Sequence, residues 1–331
     1  MYKPEPVPQE LLRFIQGGHK FLIAGHKEPD GDCIGSQLAL SSLLQRLGKE
    51  TLACSAGPFK RTEIIPYEHL FLKRPGPAER QGSRLIIVDC SGLDRTGDLE
   101  EAIGGLPTAI IDHHATGNQG PETADRVLYV DRNAPAASFM IQALIETLGL
   151  SPSREEAELL LFGLCTDTGF FRHVNDEGAE VFAFASRLIQ AGANPKQAFQ
   201  AMHGGKSLGS RILMGRILSR LESHYNGKLI VSTEPYEESQ CFGMEGRDSD
   251  ALYQLLQSIA GVEAVAIIRQ ETLETCTIGL RSREAADVSA IAAQFGGGGH
   301  KNAAGAQIKG LIQTIKPKVI EAFLCPLERL S

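Results

Sequence analysis

Short continuous apolar runs that end in acids and histidines constrain this chain more than any other feature. Residues 20–25 (KFLIAG) lead into His26, residues 84–90 (RLIIVDC) carry Asp89, and residues 108–111 (TAII) lead into Asp112, His113 and His114. Residues 51–56 (TLACSA) and 127–131 (VLYVD) read as two further strands. Between the first two runs, Ile34, Leu38, Leu43, Leu44 and Leu47 fall at helical spacing, and Gly48 is placed to end that helix. Strands that are apolar throughout and alternate with helices predict a parallel sheet with helices on both faces. Ligands of such a sheet bind outside the carboxyl ends of its strands, which is where these acids and imidazoles fall.

The chain has 331 residues, room for two domains at roughly 100–200 residues each. Helical patterns dominate from about 136 to 221, punctuated at Asn194-Pro195 and Gly204-Gly205. A second αβ pattern begins at Lys228 (KLIVST) and continues through VEAVAIIRQ from Val262 and TCTIGLRSR from Thr275. A helix from Asp287 and a strand over 303–309 complete it. The expected fold is therefore α/β: a parallel-sheet domain over 1–195, a helical linker over 196–225, and a smaller α/β domain with a mixed sheet over 226–331.

Lys and Arg number 33 against 40 Asp and Glu, a net charge of −7. That excludes a basic duplex-DNA binder; an anionic substrate must be met by a local basic pocket or by metal ions. No apolar stretch approaches the ~20 residues of a membrane span, and the first residues lack a secretion signal pattern. The cysteines (Cys33, Cys54, Cys90, Cys165, Cys241, Cys276, Cys325) are odd in number and form no CxxC. A disulfide scaffold or structural zinc site is not expected, and a reducing cytoplasm is. Tryptophan is absent and aromatics make up 6%, little material for a ladder of stacked bases.

His26, Asp30 and Asp32 form an HxxxDxD pattern, and Asp167 ends a further apolar stretch in LFGLCTDTGFFRH. Each residue alone has an ordinary reading. Asp32 could cap the helix beginning near Cys33, Pro29-Asp30-Gly31 could be a turn, and His26 a hydrogen-bonded loop histidine. Together they place four or five carboxylates in one cleft, where they repel unless cations intervene. Two divalent ions would remove that repulsion. Oxygen and imidazole donors without thiolate favour Mn²⁺ or a similar metal, and a pair about 3.5–4 Å apart suits phosphoryl chemistry.

These residues resemble the DHH phosphoesterase superfamily. HKEPDGD at 26–32, VDC at 88–90, IDHH at 111–114 and TDTG at 166–169 match its motifs in order. The resemblance implies one ion held by His26, Asp30 and Asp89, and a second by Asp32, Asp89, His113 and Asp167, with Asp89 bridging. It implies that Asp112 orients a neighbouring histidine, that His114 lies near the scissile phosphate as a substrate contact or proton donor, and that metal-bound hydroxide is the nucleophile.

A second motif follows a helix: FGGGGHKNAAGA, residues 295–306. A glycine run can be a linker or a tight turn, but small residues also admit a ligand to the backbone, where exposed N–H groups suit phosphate. A dinucleotide-cofactor fingerprint precedes its helix instead. The run resembles the signature of the DHH-associated C-terminal domain, which implies substrate contacts by Gly297, Gly298, Gly299 and His300. Arg281 and Arg283 at a strand end, and Arg172 five residues after Asp167, are candidate phosphate contacts or solvated surface cations. Cys33, Cys90 and Cys165 read as packing residues, and His173 as a surface histidine.

The expected function is Mn-dependent hydrolysis of short oligoribonucleotides and 3′-phosphoadenosine 5′-phosphate (pAp). The two halves would close over a short RNA or nucleotide, and a homodimer is left open. The resemblance also admits a cyclic-di-AMP or pApA phosphodiesterase. A family II pyrophosphatase would not need the glycine motif, a long-strand exonuclease would need a further domain, and a non-catalytic nucleotide sensor would have lost metal ligands.

Overall fold

A computed structural model of the chain describes residues 4–114, 126–175, 178–242, 247–283 and 286–328. It divides into two compact units, residues 1–205 and 206–331.

The first unit runs α1 (Gln9–Gln16), β1 (Lys20–Ala24), α2 (Gly31–Arg46), β2 (Glu50–Cys54), α3 (Pro77–Arg80), β3 (Ser83–Val88), α4 (Glu100–Ile103), β4 (Thr108–Asp112), β5 (Arg126–Val130), α5 (Ala137–Thr147), α6 (Arg154–Asp167), α7 (Ala179–Gln190) and α8 (Pro195–His203). Its strands form one parallel sheet in the order β2-β1-β3-β4-β5. The expected parallel sheet is thus observed, and the strand order reverses between β1 and β3. Both faces are covered, unequally. Phe21, Ile23, Ile86, Val88, Ala109 and Ile111 pack against α2, α5, α6 and α7. Leu22, Ala24, Leu85, Ile87 and Ile110 meet Leu99 and the short α4. Gly48 lies just beyond α2 at φ +75°, the left-handed position glycine takes after a helix.

The crossing of α2 and α6 sets the site. Gly35 lets α2 approach the backbone of α6: a Cβ there would stand 2.5 Å from the Leu159 carbonyl oxygen. One turn along α6, Gly163 leaves room for the Asp32 carboxylate and Ser138. The far ends are clamped by Glu156, which is fully buried and accepts from Arg46 Nη1 (2.5 Å), Ser42 Oγ (2.9 Å) and the Ser153 N–H (2.7 Å).

The second unit runs α9 (Leu208–Ser219), β6 (Glu222–His224), β7 (Leu229–Glu234), α10 (Tyr236–Phe242), α11 (Ser249–Gln257), β8 (Ala264–Gln270), β9 (Thr275–Ser282), α12 (Val288–Gln294), β10 (Gly298–His300), β11 (Ala303–Lys309), α13 (Ile312–Ala322) and α14 (Leu324–Glu328). Its mixed sheet has the order β10-β11-β9-β8-β7-β6, parallel only between β7 and β8. α12 and α13 cover one face, α9 and α11 the other. The mixed sheet matches expectation. Of the stretch read as linker, α8 lies in the first unit, while α9 packs Leu213 and Ile217 against the second sheet. Among the described residues no helix is long and apolar enough to cross a membrane.

Candidate metal centre

The carboxyl ends of β1, β3 and β4 deliver His26, Asp89 and Asp112-His113-His114 to the same edge of the sheet, at and beside the strand-order reversal. α2 adds Asp30 and Asp32 at its N-terminus, and α6 adds Asp167 at its C-terminus.

The structure corrects one reading of the acids. Asp30, not Asp32, caps α2: its Oδ1 accepts from the N–H groups of Asp32 and Cys33, both at 3.1 Å. Asp32 is fully buried and caps a different helix. Its Oδ2 accepts from the Ala137 N–H (2.6 Å) and its Oδ1 from the Ser138 N–H (2.9 Å), the first amides of α5. A carboxylate is favoured there because those amides lack partners within their own helix and carry the positive end of its dipole.

Asp89 occupies a left-handed backbone conformation (φ +56°) while its N–H continues the ladder to the Ile111 carbonyl (2.9 Å). That conformation costs a residue with a side chain of order 1–3 kcal/mol and is typical of functional positions. From it, Asp89 Oδ1 lies 3.3 Å from His113 Nε2 and Oδ2 3.5 Å from His26 Nε2. His113 Nε2 is also 3.4 Å from Asp167 Oδ2 and 3.9 Å from Asp32 Oδ2. His26 Nε2 is 3.8 Å from Asp30 Oδ1. Each histidine has its other nitrogen beside a backbone carbonyl: His26 Nδ1 at 2.8 Å from Lys27 O and His113 Nδ1 at 3.2 Å from Ala134 O. A carbonyl can only accept, so both Nδ1 atoms donate. In the neutral imidazoles this leaves Nε2 with its lone pair directed at the acids, the tautomer a metal ligand needs.

Asp89 Oδ1 and His113 Nε2 are buried and make no ordinary hydrogen bond. Buried polar atoms without partners are costly, and atoms of this donor set would be satisfied by a divalent cation. Donor atoms of Asp89, His113 and His114, and separately those of Asp32, His113 and Asp167, come within 4.8 Å of one another. Cys33, read as a packing residue, is a direct neighbour: its Sγ stands similarly close to His26 and Asp89. Burial pushes this thiol up to about 11, and it donates to Gln37 Oε1 at 3.5 Å, so packing still accounts for it.

Asp112 is fully buried, and its Oδ1 accepts from His114 Nδ1 at 2.8 Å and from the His114 N–H at 3.2 Å. The neighbouring histidine that Asp112 orients is therefore His114, whose ring is half exposed. Hydrogen bonding to Asp112 raises the His114 pKa.

Repulsion in the metal-free cluster appears in its protonation. Burial, then the charges of Asp89 and Asp167, push Asp32 up to about 8. Burial also pushes Asp167 up to about 6, with His113 opposing and Asp89 and Asp30 assisting. Burial alone would lower His113, but Asp89, Asp32 and Asp167 together push it up to about 10. These shifts give stability one sign. The unfolded acids ionise near pH 4, whereas folded Asp32 and Asp167 retain protons, so stability is lost as pH rises toward about 8. The His113 contribution, present below about 6.5, is lost as pH rises through about 10. Asp30, held down to about 2 by His26 against the effect of burial, adds no slope above about pH 5. The Tm of protein in EDTA is expected to fall between pH 5 and 9, and divalent metal to raise it most at the upper end, where its ligands are deprotonated. A Tm independent of pH in EDTA would contradict this account.

Arg172 is exposed in the first unit, its Nη2 3.1 Å from His173 Nε2. The remaining candidates belong to the second unit. Gly298, Gly299 and His300 form the exposed β10, paired with β11 so that His300 stands opposite Ala303, which stands opposite Arg281 of β9. Directly opposed residues share a sheet face, so Arg281 and His300 lie on one face. Arg281 also rests on the Tyr253 ring at 4.6 Å. Arg283 is diverted: its Nη2 donates to the Gln257 carbonyl at 2.5 Å. The glycines are not equivalent. A Cβ on Gly297 would stand 2.1 Å from the Gly305 carbonyl oxygen, and one on Gly299 (φ +147°) 2.5 Å from that of Ala303, whereas one on Gly298 meets open space. Gly297 and Gly299 are needed by the hairpin itself, and Gly298→Ala should leave the Tm unchanged where Gly299→Ala lowers it.

The DHH family N-terminal domain matches residues 20–164 and the DHHA1 domain matches residues 226–328. The chain is 31% identical over 97% of its length, and 93% of the relative's, to the bifunctional oligoribonuclease and PAP phosphatase NrnA of Thermus thermophilus. It is 26% identical to the NrnA of Bacillus subtilis, over 90% of this chain and 92% of that one. Among solved structures, an exopolyphosphatase-related protein from Bacteroides fragilis superposes with a TM-score of 0.79 at 24% identity, covering 96% of this chain and 94% of that one. The strand-end acids, their motifs and these matches together make the chain a member of the DHH family with a DHHA1 domain.

Proposed function

We propose that this protein hydrolyses short oligoribonucleotides and pAp with two divalent ions, Mn²⁺ by preference, in the cytoplasm. The observation that carries the substrate reading is the likeness, over nearly the full length of both chains, to a protein named bifunctional oligoribonuclease and PAP phosphatase; the acid–histidine cluster by itself suits many phosphoesters.

His26, Asp30 and Asp89 would hold one ion and Asp32, Asp89, His113 and Asp167 the other, with the left-handed turn at Asp89 aiming one oxygen toward each histidine. When bound, the ions supply Lewis acidity to phosphate oxygens and lower the pKa of water. The chain's own groups do the rest. His114 donates Nδ1–H to Asp112, which favours the protonated ring and leaves its Nε2 proton available to the leaving oxygen as the P–O bond breaks. Asp32 is kept in place by α5. In the second unit, His300, Arg281 and the open backbone at Gly298 would receive the nucleotide, with Gly297 and Gly299 shaping the hairpin and Arg283 at its margin.

The test is side-by-side turnover, with Mn²⁺, of pAp, a diribonucleotide and cyclic-di-AMP. The first two are expected to be hydrolysed faster than the third; preference for the cyclic dinucleotide would replace this reading with the phosphodiesterase alternative. Gly298→Ala should raise KM for nucleotides without lowering the Tm, and an unchanged KM would remove the hairpin from the binding site.

A further inference from the structure

The chain is poor in aromatic residues, yet the fold gathers several at the C-terminal end of α6. Phe171 stacks on Phe182 (centroids 5.2 Å apart, planes at 29°), Phe170 meets Phe171 edge-on at 5.7 Å and Phe199 at 5.2 Å, and Phe199 lies 4.4 Å from His203. Phe182 is 53% exposed and Phe199 48%. Phe170 and Phe171 are both left-handed, at φ +57° and +68°, a conformation that bulky residues rarely adopt. The turn is held by the Phe170 N–H to the Cys165 carbonyl (2.7 Å) and the Phe171 N–H to Thr168 Oγ1 (3.0 Å).

We propose that Phe171 and Phe182 form a stacking platform for one nucleobase of the substrate, beside the metal centre. The inference rests on the nucleotide reading above and adds a subsite to it. Three observations favour a base over another occupant. First, Phe171 follows Asp167 by four residues, so their Cα atoms are separated by at most about 14 Å, and the folded-back turn shortens that span. Second, the exposed Arg172 follows Phe171 in sequence, its Nη2 3.1 Å from His173 Nε2, so the same turn carries a cation as well as a ring, the combination that single-stranded nucleic-acid sites use. Third, Phe171 is partly buried against the core of the unit while Phe182, stacked on it, is 53% exposed, so the outer ring of the pair stands in solvent on a fixed support.

Stacking on one ring is worth about 1–3 kcal/mol per base, which corresponds to roughly 5- to 150-fold in affinity. The test compares a diribonucleotide with analogues made abasic at the first or the second position, using wild type, Phe182→Ala, Phe182→Leu and Phe182→Tyr. Phe182 is half exposed on α7, so these variants should keep the wild-type Tm. For one of the two positions, wild type should prefer the intact substrate in kcat/KM by a factor in that range. Phe182→Ala and Phe182→Leu should collapse the preference toward one through KM, with the abasic substrate turned over as before, and Phe182→Tyr should retain it. An undiminished preference in Phe182→Ala and Phe182→Leu overturns the platform while the phosphoesterase reading stands. The platform is equally overturned if the Phe182 variants change only the oligomeric mass, as a shelf seating a second copy would. A wild type that cleaves neither intact nor abasic substrate ends the nucleotide reading and the platform with it.

Discussion

Asp89→Asn should abolish turnover while leaving the metal-free protein close to wild type in stability. Asparagine accepts the left-handed backbone that Asp89 adopts, so the substitution adds little strain. It removes one negative charge from a buried group in which burial, and then the charges of Asp89 and Asp167, keep Asp32 protonated up to about 8, and it also removes the anion that helps to hold His113 protonated. In EDTA, the two effects oppose each other and the Tm should therefore change little. With divalent metal the two proteins should separate: wild type gains stability and the variant gains much less, because the group whose two oxygens reach toward His113 and His26 has lost its charge. Turnover of pAp and dinucleotides should fall by roughly 10³-fold or more, about 4 kcal/mol of transition-state stabilisation. Normal turnover by this variant would dismiss Asp89 as the shared ligand and the two-ion centre with it.

Gly163→Ala is the second large effect expected, on a residue that carries no chemistry. In a helix interior, alanine is favoured over glycine by about 1 kcal/mol. Here the added carbon would stand 2.8 Å from Asp32 Oδ1 and 3.0 Å from both Cβ and Oγ of Ser138. None of these can retreat easily, since both Asp32 oxygens are engaged by the first amides of α5. Overpacking costs about 1–3 kcal/mol, so a net loss of up to about 2 kcal/mol is expected, a few degrees in Tm for a unit of this size. The more telling readout is metal affinity: displacing a ligand from its support should weaken binding roughly 10- to 100-fold, measurable by calorimetry without substrate. A stabilised variant with undiminished metal affinity would mean that α6 can move away and that Asp32 is held by other means.

The arrangement of the cluster was legible because strand ends announce themselves locally. His26, Asp89 and the Asp112-His113-His114 run each follow a continuous apolar strand, and parallel pairing leaves those ends at one edge. The helix-capping roles were not legible. Asp30 and Asp32 are equally plausible caps in sequence, and only the placement of α5, 105 residues downstream, separates them. Arg281 and Arg283 read alike as strand-end cations, yet one lies over a tyrosine ring and the other on a carbonyl of α11's last residue. β10 was hidden because glycine-rich segments carry no strand pattern, its pairing being imposed by β11. The aromatic shelf escaped notice because composition counts rings without saying where the chain returns, and Phe182 and Phe199 meet the Phe170-Phe171 pair only through the packing of α7 and α8 at the end of α6.

The span of the acid–histidine cluster along the chain bears on how such a protein matures. Its first member is residue 26 and its last residue 167, and translation proceeds at about 5–20 residues per second, so the interval between them is on the order of ten seconds. A nascent chain that has already formed β1 and β3 lacks both the final carboxylate and the helix that steadies Asp32. Ion capture would thereby be postponed until α6 docks, and loading with metal would become a certificate that the chain has been made and folded through α6.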